Sequence, residues 1–377
     1  MMESNSINPF PSSKYLGPKH FCDRKDEINS LLTNLKGQQS TTLVSIRRMG
    51  KTGLINHLQH KISKDWISVY VDILATENME SFINTISSAI LNSVPRKTII
   101  GKKIWAFFQS LNISISYDPL SGAPSVNFNL KENESKTQIK NIFTLLNEQE
   151  KPVLIAIDEF QQITQYPEKN VDAYLRTIIQ NLKNVVFIFS GSQQHLMQEL
   201  FSNPSKPFYR STSFLNLSEI DFNTYRDFII KKFKEHQKKI EIETVEEILT
   251  WTRQHTYYVQ LICNRIFTNS EDKIEPDSWK LEAQKLLKEQ DLIFFTYRDL
   301  LTKAQWKLLK AIAKEIQVKN ITASKFIKTY DLGSSATVIR SVNALLKKDL
   351  IYKKFDTEGN SFYLIYDTLL QRWLERL

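Results

Sequence analysis

The residues that decide the fold run from Thr41 to Ile55 and read TTLVSIRRMGKTGLI. The order of residue types predicts a short β-strand, a tight loop and the start of a helix. Its Gly-Lys-Thr matches the end of a Walker A loop, in which backbone N–H groups and a helix N-terminus surround triphosphate oxygens. Lys51 would neutralise the β- and γ-phosphates, and the Thr52 hydroxyl would hold Mg²⁺. Ser45 replaces the first glycine of the full motif, and serine is small enough to make the turn.

The alternative for this loop is a chance Gly-Lys-Thr in a solvated turn. The β-rich pair Leu43-Val44 before it and the apolar helix after it favour phosphate binding. The predicted nucleotide-binding residues of the loop form one run: Ser45, Ile46, Arg47, Arg48, Met49, Gly50, Lys51, Thr52 and Gly53.

A second stretch, from Pro152 to Phe160, reads PVLIAIDEF. An apolar run without polar alternation is typical of a strand buried on both faces of a parallel sheet. At the end of this strand, Asp158 would meet the Mg²⁺ shell of the nucleotide, as in a Walker B strand. Glu159 is placed to polarise an attacking water. The alternative is an acidic N-cap for the next helix, and the nearby Gly-Lys-Thr loop favours the Walker B interpretation.

Two more apolar runs end in polar residues: one ends at Asp72, and the other ends at Ser192 and Gln193. Strands and helices alternate from residue 41 to about residue 192, which predicts a parallel sheet with right-handed crossovers. Ligands bind at the C-terminal ends of such strands. The sequence therefore predicts an α/β fold of the P-loop NTPase type, with Ser192 or Gln193 sensing the γ-phosphate.

Composition sets wider limits. The 377 residues predict about two or three domains, and 41% hydrophobic with 24% charged residues is an ordinary globular balance. No apolar run approaches the ~20 residues of a membrane span, and the first six residues lack a signal-peptide layout, so we expect a cytoplasmic protein without a membrane partner. Cys22 and Cys263 are isolated, which argues against a disulfide framework or a zinc site.

The chain divides into segments of different pattern. Residues 1–220 form the predicted ATPase core, which opens with an extended arm over residues 1–20. Within it, residues 95–136 form an insertion whose alternation around a Gly/Pro turn predicts a β-hairpin. Residues 221–290 are predicted to form a helical lid. Residues 291–377 show three helices and two strands, the pattern of a C-terminal winged helix-turn-helix.

The last segment carries most of the net charge. Residues 291–377 contain fifteen Lys and Arg against nine Asp and Glu, which is +6 of the total +9. Phosphate contacts to duplex DNA need such cations, although winged helices also serve protein contacts, so both partners stay open. We expect Thr337 and Ser341 on the exposed side of the third helix and Ile339 on its apolar side. The predicted nucleic-acid residues lie on this helix and the wing: Arg340, Lys347, Lys348, Lys353 and Lys354.

Taken together, the chain resembles the archaeal-type P-loop ATPases, which lie near the STAND, AAA+ and origin-recognition ATPases. The resemblance covers nearly the whole chain and implies ATP binding and hydrolysis with Mg²⁺. In this family a serine is accepted at the first Walker glycine. The opening residues Phe21 and Arg24 are implied to contribute to the nucleotide site. The resemblance rests on these stretches: Phe21, Arg24 and Glu27; RRMGKT at 47–52; IDE at 157–159; SGS at 190–192; PFYR at 207–210; and the winged helix.

Two stretches depart from the family pattern. The family loop reads Pro-Leu-Tyr-Gly-Arg, whereas in this chain no glycine separates Tyr209 from Arg210. Arg210 would stabilise transition-state charge, in cis or on a neighbouring subunit; the alternative is a surface arginine paired with a carboxylate. The Gly-x-Pro of the family lid is replaced by His-Thr-Tyr at residues 255–257, and we assign no sensor there.

Three functions remain open from the sequence. The first is an ATPase switch, in which ATP orders the lid and winged helix and hydrolysis releases them. The second is a DNA-binding or regulatory protein with largely structural ATP. The third is a STAND-like signalling or defence scaffold, which would need an effector or repeat domain that is not visible in this sequence. A homo-oligomer or a protein partner is compatible with each.

Overall fold

The computed structural model describes residues 8–12, 15–111, 113–128, 132–356 and 358–377, with the side chains of residues 132 and 133 left aside. The chain forms two compact units. One unit is Lys14–Ser218, and the other is Glu219–Leu377 together with the N-terminal residues up to Ser13. Within the described ranges, no helix is long and apolar enough to cross a bilayer.

The first unit is built on a five-stranded sheet in the order β2-β5-β6-β1-β7, with every pairing parallel. The prediction of a parallel α/β sheet is therefore confirmed. Its strands are β1 (Thr41–Val44), β2 (Ile67–Asp72), β5 (Val153–Asp158), β6 (Val185–Gly191) and β7 (Ser213–Asn216); a hairpin of β3 (Ser114–Tyr117) and β4 (Pro124–Asn127) stands apart. Its helices are α1 (Lys25–Lys36), α2 (Lys51–Ile62), α3 (Met79–Ser93), α4 (Ile99–Ser110), α5 (Glu132–Asn147), α6 (Val171–Ile179) and α7 (Gln194–Ser202), with 3-10 turns at Pro18–His20 and Phe160–Gln165.

Helices cover both faces of this sheet, because its central strands are apolar on both sides. In β5, Leu154 and Ala156 pack with the apolar residues of α1 and α2. Val153 and Ile155 point to the opposite face, into a core shared with α3, α5 and α6. All six residues of β5 and all seven of β6 are buried. The strand order makes β1 and β5 the two neighbours of β6, so the loops that follow these three strands lie side by side.

The insertion between α3 and α5 contains α4, which the sequence analysis did not predict, and the antiparallel hairpin β3–β4. The hairpin is fastened to α3 by side chains rather than by a third strand. The Ser88 hydroxyl accepts a hydrogen bond from the Val126 backbone N–H at 2.8 Å. One helical turn earlier in α3, the Asn84 side chain accepts a hydrogen bond from the Phe128 backbone N–H at 2.8 Å. Trp105 and Phe108 of α4 are buried in the core of this unit.

The second unit begins with four helices and ends in a winged helix. Its elements are α8 (Phe222–Glu235), α9 (Ile242–Thr252), α10 (Thr256–Asn269), α11 (Ser278–Leu300), α12 (Lys303–Glu315), α13 (Ser324–Thr329), α14 (Ser335–Lys347), β8 (Ile351–Phe355), β9 (Ser361–Ile365) and α15 (Thr368–Leu374). The Ser334 hydroxyl caps α14 by accepting from the Thr337 backbone, and β8 and β9 pair as the antiparallel wing. In the predicted N-terminal arm, Phe10 belongs to this unit, where it is buried with its ring 5.0 Å from Phe233.

Candidate nucleotide-binding site

The loop after β1 turns sharply into helix α2, which begins at Lys51. The turn depends on Gly50, whose φ of 103° lies in the left-handed region that glycine adopts without strain. Ser45, in the place of the first motif glycine, is fully buried, and its hydroxyl donates to the Ile46 carbonyl at 2.9 Å. The serine hydroxyl is therefore satisfied within the loop, which explains how the turn accommodates it. The first amides of α2 are left pointing out of the helix N-terminus, where anions bind.

The Lys51 side chain lies inside this loop, and the residue is only 6% exposed. Its partners are neutral oxygens at long range: the Ser45 carbonyl and hydroxyl at 3.3 Å each, and the Ile46 carbonyl at 3.5 Å. Burial lowers the pKa of Lys51, and the negative charges of Asp158 and Glu159 partly oppose this effect. A triphosphate would supply anionic acceptors, which form stronger hydrogen bonds with an ammonium than neutral oxygens do.

Asp158, at the end of β5, is joined to the first turn of α2. Its Oδ2 accepts hydrogen bonds from the Thr52 hydroxyl at 3.0 Å and the Tyr70 hydroxyl at 2.9 Å, and the side chain is buried. A hydroxyl and a carboxylate side by side are the hard oxygen ligands that Mg²⁺ prefers. Burial, with the Asp158 charge, raises the pKa of Tyr70 and keeps it a donor. The structure thus brings together the two residues predicted to hold the metal.

Glu159 follows in a left-handed conformation, with φ of 54°. One carboxylate oxygen, Oε2, accepts hydrogen bonds from Gln161 Nε2 at 2.6 Å, Ser192 Oγ at 2.8 Å and the Ser192 backbone N–H at 3.3 Å. Arg47 of the loop donates to the same Ser192 hydroxyl at 3.4 Å. Glu159 precedes the 3-10 turn but its side chain makes no capping hydrogen bond, so the alternative of an acidic N-cap is not supported.

The N-terminal residues Phe21 and Arg24 flank the loop and the start of α2. Arg24 is 5% exposed, forms an ion pair with Glu27 at 2.9 Å, and reaches the Met49 carbonyl at 3.5 Å. The Phe21 ring stacks on the His57 ring of α2, with centroids 4.2 Å apart and planes at 7°. Gly53 lies one turn earlier, where a Cβ would be 3.9 Å from the Phe21 ring.

Comparison with known proteins agrees with this geometry. A family described as an ATPase domain predominantly from Archaea matches residues 21–261, which is more than half of the chain. The chain belongs to this ATPase family. Residues 292–376 match a family described as a probable winged helix domain. None of the curated proteins searched matches the chain.

Two solved structures share the architecture of this archaeal-type ATPase over almost its full length. The Walker-type ATPase PABY2304 of Pyrococcus abyssi is 18% identical, covers 98% of this chain and 100% of its own, and has a TM-score of 0.67. The ORC2 protein of Aeropyrum pernix, solved as ADPNP–ADP complexes, is 12% identical, covers 99% of this chain and 98% of its own, and has a TM-score of 0.57. At these identities the likeness establishes the fold, while the family match identifies a nucleotide-binding ATPase.

Other predicted residues of the ATPase core lie less centrally. Gln193 follows Ser192 and immediately precedes α7. Arg210 is exposed, and its guanidinium lies 5.2 Å from the ring of Tyr209. Among the described residues no carboxylate forms an ion pair with Arg210, so the surface-pair alternative finds no partner in the structure. Its role in transition-state stabilisation remains a prediction.

The winged helix of the archaeal-type ATPase presents a basic surface on α14 and β8. Ser341, expected on the exposed side of α14, is instead 5% exposed, and Ile339, expected on the apolar side, is 50% exposed. Both expectations are wrong because the buried stripe runs through Val338, Ser341, Val342 and Leu345, at helical spacing. The predicted nucleic-acid residues are all exposed: Arg340, Lys347, Lys348, Lys353 and Lys354.

Lys354 differs from the other four basic residues. Its ammonium contacts both carboxylate oxygens of Glu219, at 2.9 and 3.0 Å. The ammonium of Lys353, by contrast, lies 5.1 Å from the ring of Phe355 on the same strand. A phosphate would therefore compete with Glu219 for Lys354, whereas none of the described carboxylates forms an ion pair with Lys353.

The sequence analysis missed two residues of the ATPase site, Tyr70 and Gln161. Tyr70 lies on the same face of β2 as Asp72, and the register of β2 with β5 places Asp72 opposite Asp158. The period-two alternation of β2 was therefore the available signal for Tyr70. Gln161 carries no comparable signal, because its contact with Glu159 depends on the left-handed conformation of Glu159 itself.

Proposed function

We propose that this protein is a Mg²⁺-dependent ATPase that uses hydrolysis to switch the state of its lid and winged helix. The single observation that carries the proposal is the placement of Glu159. Its carboxylate is hydrogen-bonded to Ser192, which also accepts from Arg47 of the phosphate-binding loop. A carboxylate held one side chain away from that loop lies where a water attacking the γ-phosphate would need a base.

The roles follow from the contacts. Lys51 and the amides at the start of α2 would bind the β- and γ-phosphates. Thr52 and Asp158 would hold Mg²⁺, which neutralises charge on the phosphate oxygens during transfer. Glu159 would accept a proton from the attacking water, while Ser192 would sense the γ-phosphate. We further propose that Phe21 and Arg24 border the nucleotide and that Arg210 contributes charge to the transition state.

The decisive test of hydrolysis is Glu159→Gln, which keeps the shape of the side chain but removes its basicity. We expect turnover to fall by about 10²- to 10⁴-fold while ATP binding is retained. Glu150→Gln is the matched control, because Glu150 is exposed and outside the site. Phosphate release and equilibrium ATP binding are measured on the same preparations. Undiminished turnover in Glu159→Gln would assign the base elsewhere.

We also propose that the chain divides into an ATPase core at residues 1–220, a helical lid at 221–290 and a winged helix at 291–377. We propose duplex DNA as the partner of this winged helix. The supporting observation is that four exposed cations without a carboxylate partner in the described residues lie on α14, at its C-cap and on β8: Arg340, Lys347, Lys348 and Lys353. Helix α14 is the third helix of the motif, the element that enters a major groove in helix-turn-helix proteins.

The DNA proposal predicts salt-sensitive binding, because lysine and arginine displace counterions from the duplex. Anisotropy with a mixed-sequence duplex at about 50 and 200 mM salt measures this. The double variant Arg340→Glu with Lys347→Glu should lose binding and keep ATP turnover. A matched variant, Lys231→Glu with Lys234→Glu on α8, changes net charge equally and should bind as the wild type. If the wild type does not bind at the lower salt, with or without ATP, the winged helix serves a protein contact instead.

A further inference from the structure

Gln161 is a buried polar residue in the turn directly after Asp158 and Glu159. It lies in the 3-10 turn Phe160–Gln165, and its side chain is 4% exposed. Its amide nitrogen, Nε2, lies 2.6 Å from Glu159 Oε2. Hydrogen bonds to a charged acceptor at this distance belong to the strong class.

The orientation of this amide is determined by its partner. If the amide were turned over, its oxygen would face the carboxylate, which cannot donate, and the two oxygens would repel. In the observed orientation Gln161 Oε1 is buried and has no hydrogen bond to the described residues. Within the described ranges, the hydrogen bond from Nε2 to Glu159 is therefore the only polar contact of this side chain.

The neighbouring strand leaves space for the amide. A Cβ on Gly191 at the end of β6 would come within 2.4 Å of Gln161 Oε1 and 2.6 Å of Met197 Cγ. Such distances are far below van der Waals contact, so any larger residue at position 191 would force the side chains of Gln161 and Met197 to move. Gly191, the residue immediately before Ser192, thus lets the Gln161 side chain pack against the end of β6 with its amide nitrogen facing Glu159.

We propose that Gln161 is a positioning residue for ATP hydrolysis, which holds the Glu159 carboxylate in place during attack of water on the γ-phosphate; this rests on the proposed function. Ser192 also donates to Glu159, through its hydroxyl at 2.8 Å and more weakly through its backbone N–H at 3.3 Å, but the hydroxyl is shared with Arg47 and is the group that would turn to the γ-phosphate. The Gln161 amide nitrogen has no second acceptor among the described residues. It therefore keeps the carboxylate oriented when nucleotide engages Ser192.

The test replaces Gln161 by methionine, which has similar length and no donor. We expect kcat to fall about 10- to 100-fold, the effect of losing one hydrogen bond to a charged group, with KM and ATP affinity within about twofold of wild type. Gln162→Met is the matched control, because the Gln162 amide donates to the Thr76 carbonyl at 2.9 Å rather than to Glu159. Its turnover should equal that of the wild type.

A double-mutant cycle with Glu159→Gln distinguishes positioning from a general structural effect. Gln161 acts only through the Glu159 base, so Gln161→Met should cause no further loss of turnover once Glu159 is glutamine. Nucleotide-free thermal unfolding and binding of a fluorescent ATP analogue are recorded for all four proteins and should show folded, binding-competent variants.

Three results would overturn the inference while leaving the proposed function intact. These are wild-type turnover in Gln161→Met, a faster turnover in that variant, or a further tenfold loss in the double variant. A wild-type protein that binds ATP but shows no turnover at all would instead refute the proposed hydrolysis, and the positioning role with it.

Discussion

Replacing Lys51 by methionine tests the phosphate-binding loop most directly. Methionine keeps the length of the side chain and removes its charge. In the structure Lys51 is 6% exposed, and its hydrogen-bond partners among the described residues are neutral oxygens of the loop, at 3.3 to 3.5 Å. It is therefore already stripped of most water before nucleotide arrives, so binding adds little further desolvation cost at this group.

The magnitude follows from one charge pair. Two unit charges about 4 Å apart, at an effective dielectric constant of about 20, attract by about 4 kcal/mol. If the lysine is desolvated beforehand, most of this attraction appears in the binding free energy. We expect the Kd for ATP to rise by roughly 10³-fold in Lys51→Met.

The thermal stability of the nucleotide-free protein, unlike its ATP affinity, should not fall in Lys51→Met. Burial lowers the pKa of Lys51, which means that the ammonium is less favourable in the folded than in the unfolded chain. This cost is complete at pH values below the folded-state pKa and disappears as the pH rises to the unfolded-state pKa. Methionine carries no such cost, so the nucleotide-free variant should unfold at a temperature no lower than the wild type.

Isothermal titration with a non-hydrolysable ATP analogue and Mg²⁺ measures the affinity, and calorimetric unfolding measures the stability. Lys61→Met is the control, since Lys61 is an exposed residue in the last turn of the same helix. A Kd within threefold of wild type would refute the assignment of the loop, and so would a Lys61→Met variant that loses as much affinity as Lys51→Met.

Three further predictions concern the metal, the arginine and the core. Thr52→Ala should weaken ATP binding in Mg²⁺ but not in EDTA, because the Thr52 hydroxyl, 3.0 Å from Asp158, would act through the metal; equal losses in both titrations would contradict the metal role. Arg210→Ala should lower kcat more than affinity, and rescue by wild-type subunits in mixed assemblies would show that Arg210 acts in trans; an unchanged rate removes its predicted role. Gly101→Ala should lower the free energy of unfolding by about 1–3 kcal/mol, since a Cβ there would lie 2.1 Å from the Pro95 carbonyl oxygen, whereas Gly37→Ala, with its nearest atom at 3.4 Å, should change it little in chemical denaturation; equal midpoints would refute the packing argument.

Much of the ATPase core was predictable because its signals are local. The unbroken apolar run of β5 requires burial on both faces, and only a parallel sheet covered by helices provides this. Once β1, β5 and β6 are placed in such a sheet, their C-terminal loops must converge. The contact between Thr52 and Asp158 is a direct consequence, although 106 residues separate them in the chain.

Other features depended on packing that the sequence does not encode locally. On α14 the buried stripe includes Ser341 and leaves Ile339, two positions earlier, exposed, so it is the residue with the polar hydroxyl that is buried. Helix α4 was not predicted as a helix, because the basic and aromatic residues of this stretch show no clear helical pattern until α3 and the hairpin provide the surface on which they pack. Strand β7 has only four residues and is held by pairing with β1 rather than by its own composition.

The contact between Gln161 and Glu159 shows most clearly why part of the site could not be predicted. Glu159 adopts φ of 54° and ψ of 39°, a left-handed conformation that costs a residue other than glycine about 1–3 kcal/mol. Three hydrogen bonds to its carboxylate can offset this cost, since each bond to a charged group contributes about 1.5–3 kcal/mol. Two of the three come from Ser192. If the Ser192 hydroxyl turns to the nucleotide, the long bond from the Ser192 backbone N–H at 3.3 Å and the short bond from Gln161 at 2.6 Å remain. The bond from Gln161 alone is comparable with the strain, so the same amide supports both the turn and the direction of the carboxylate.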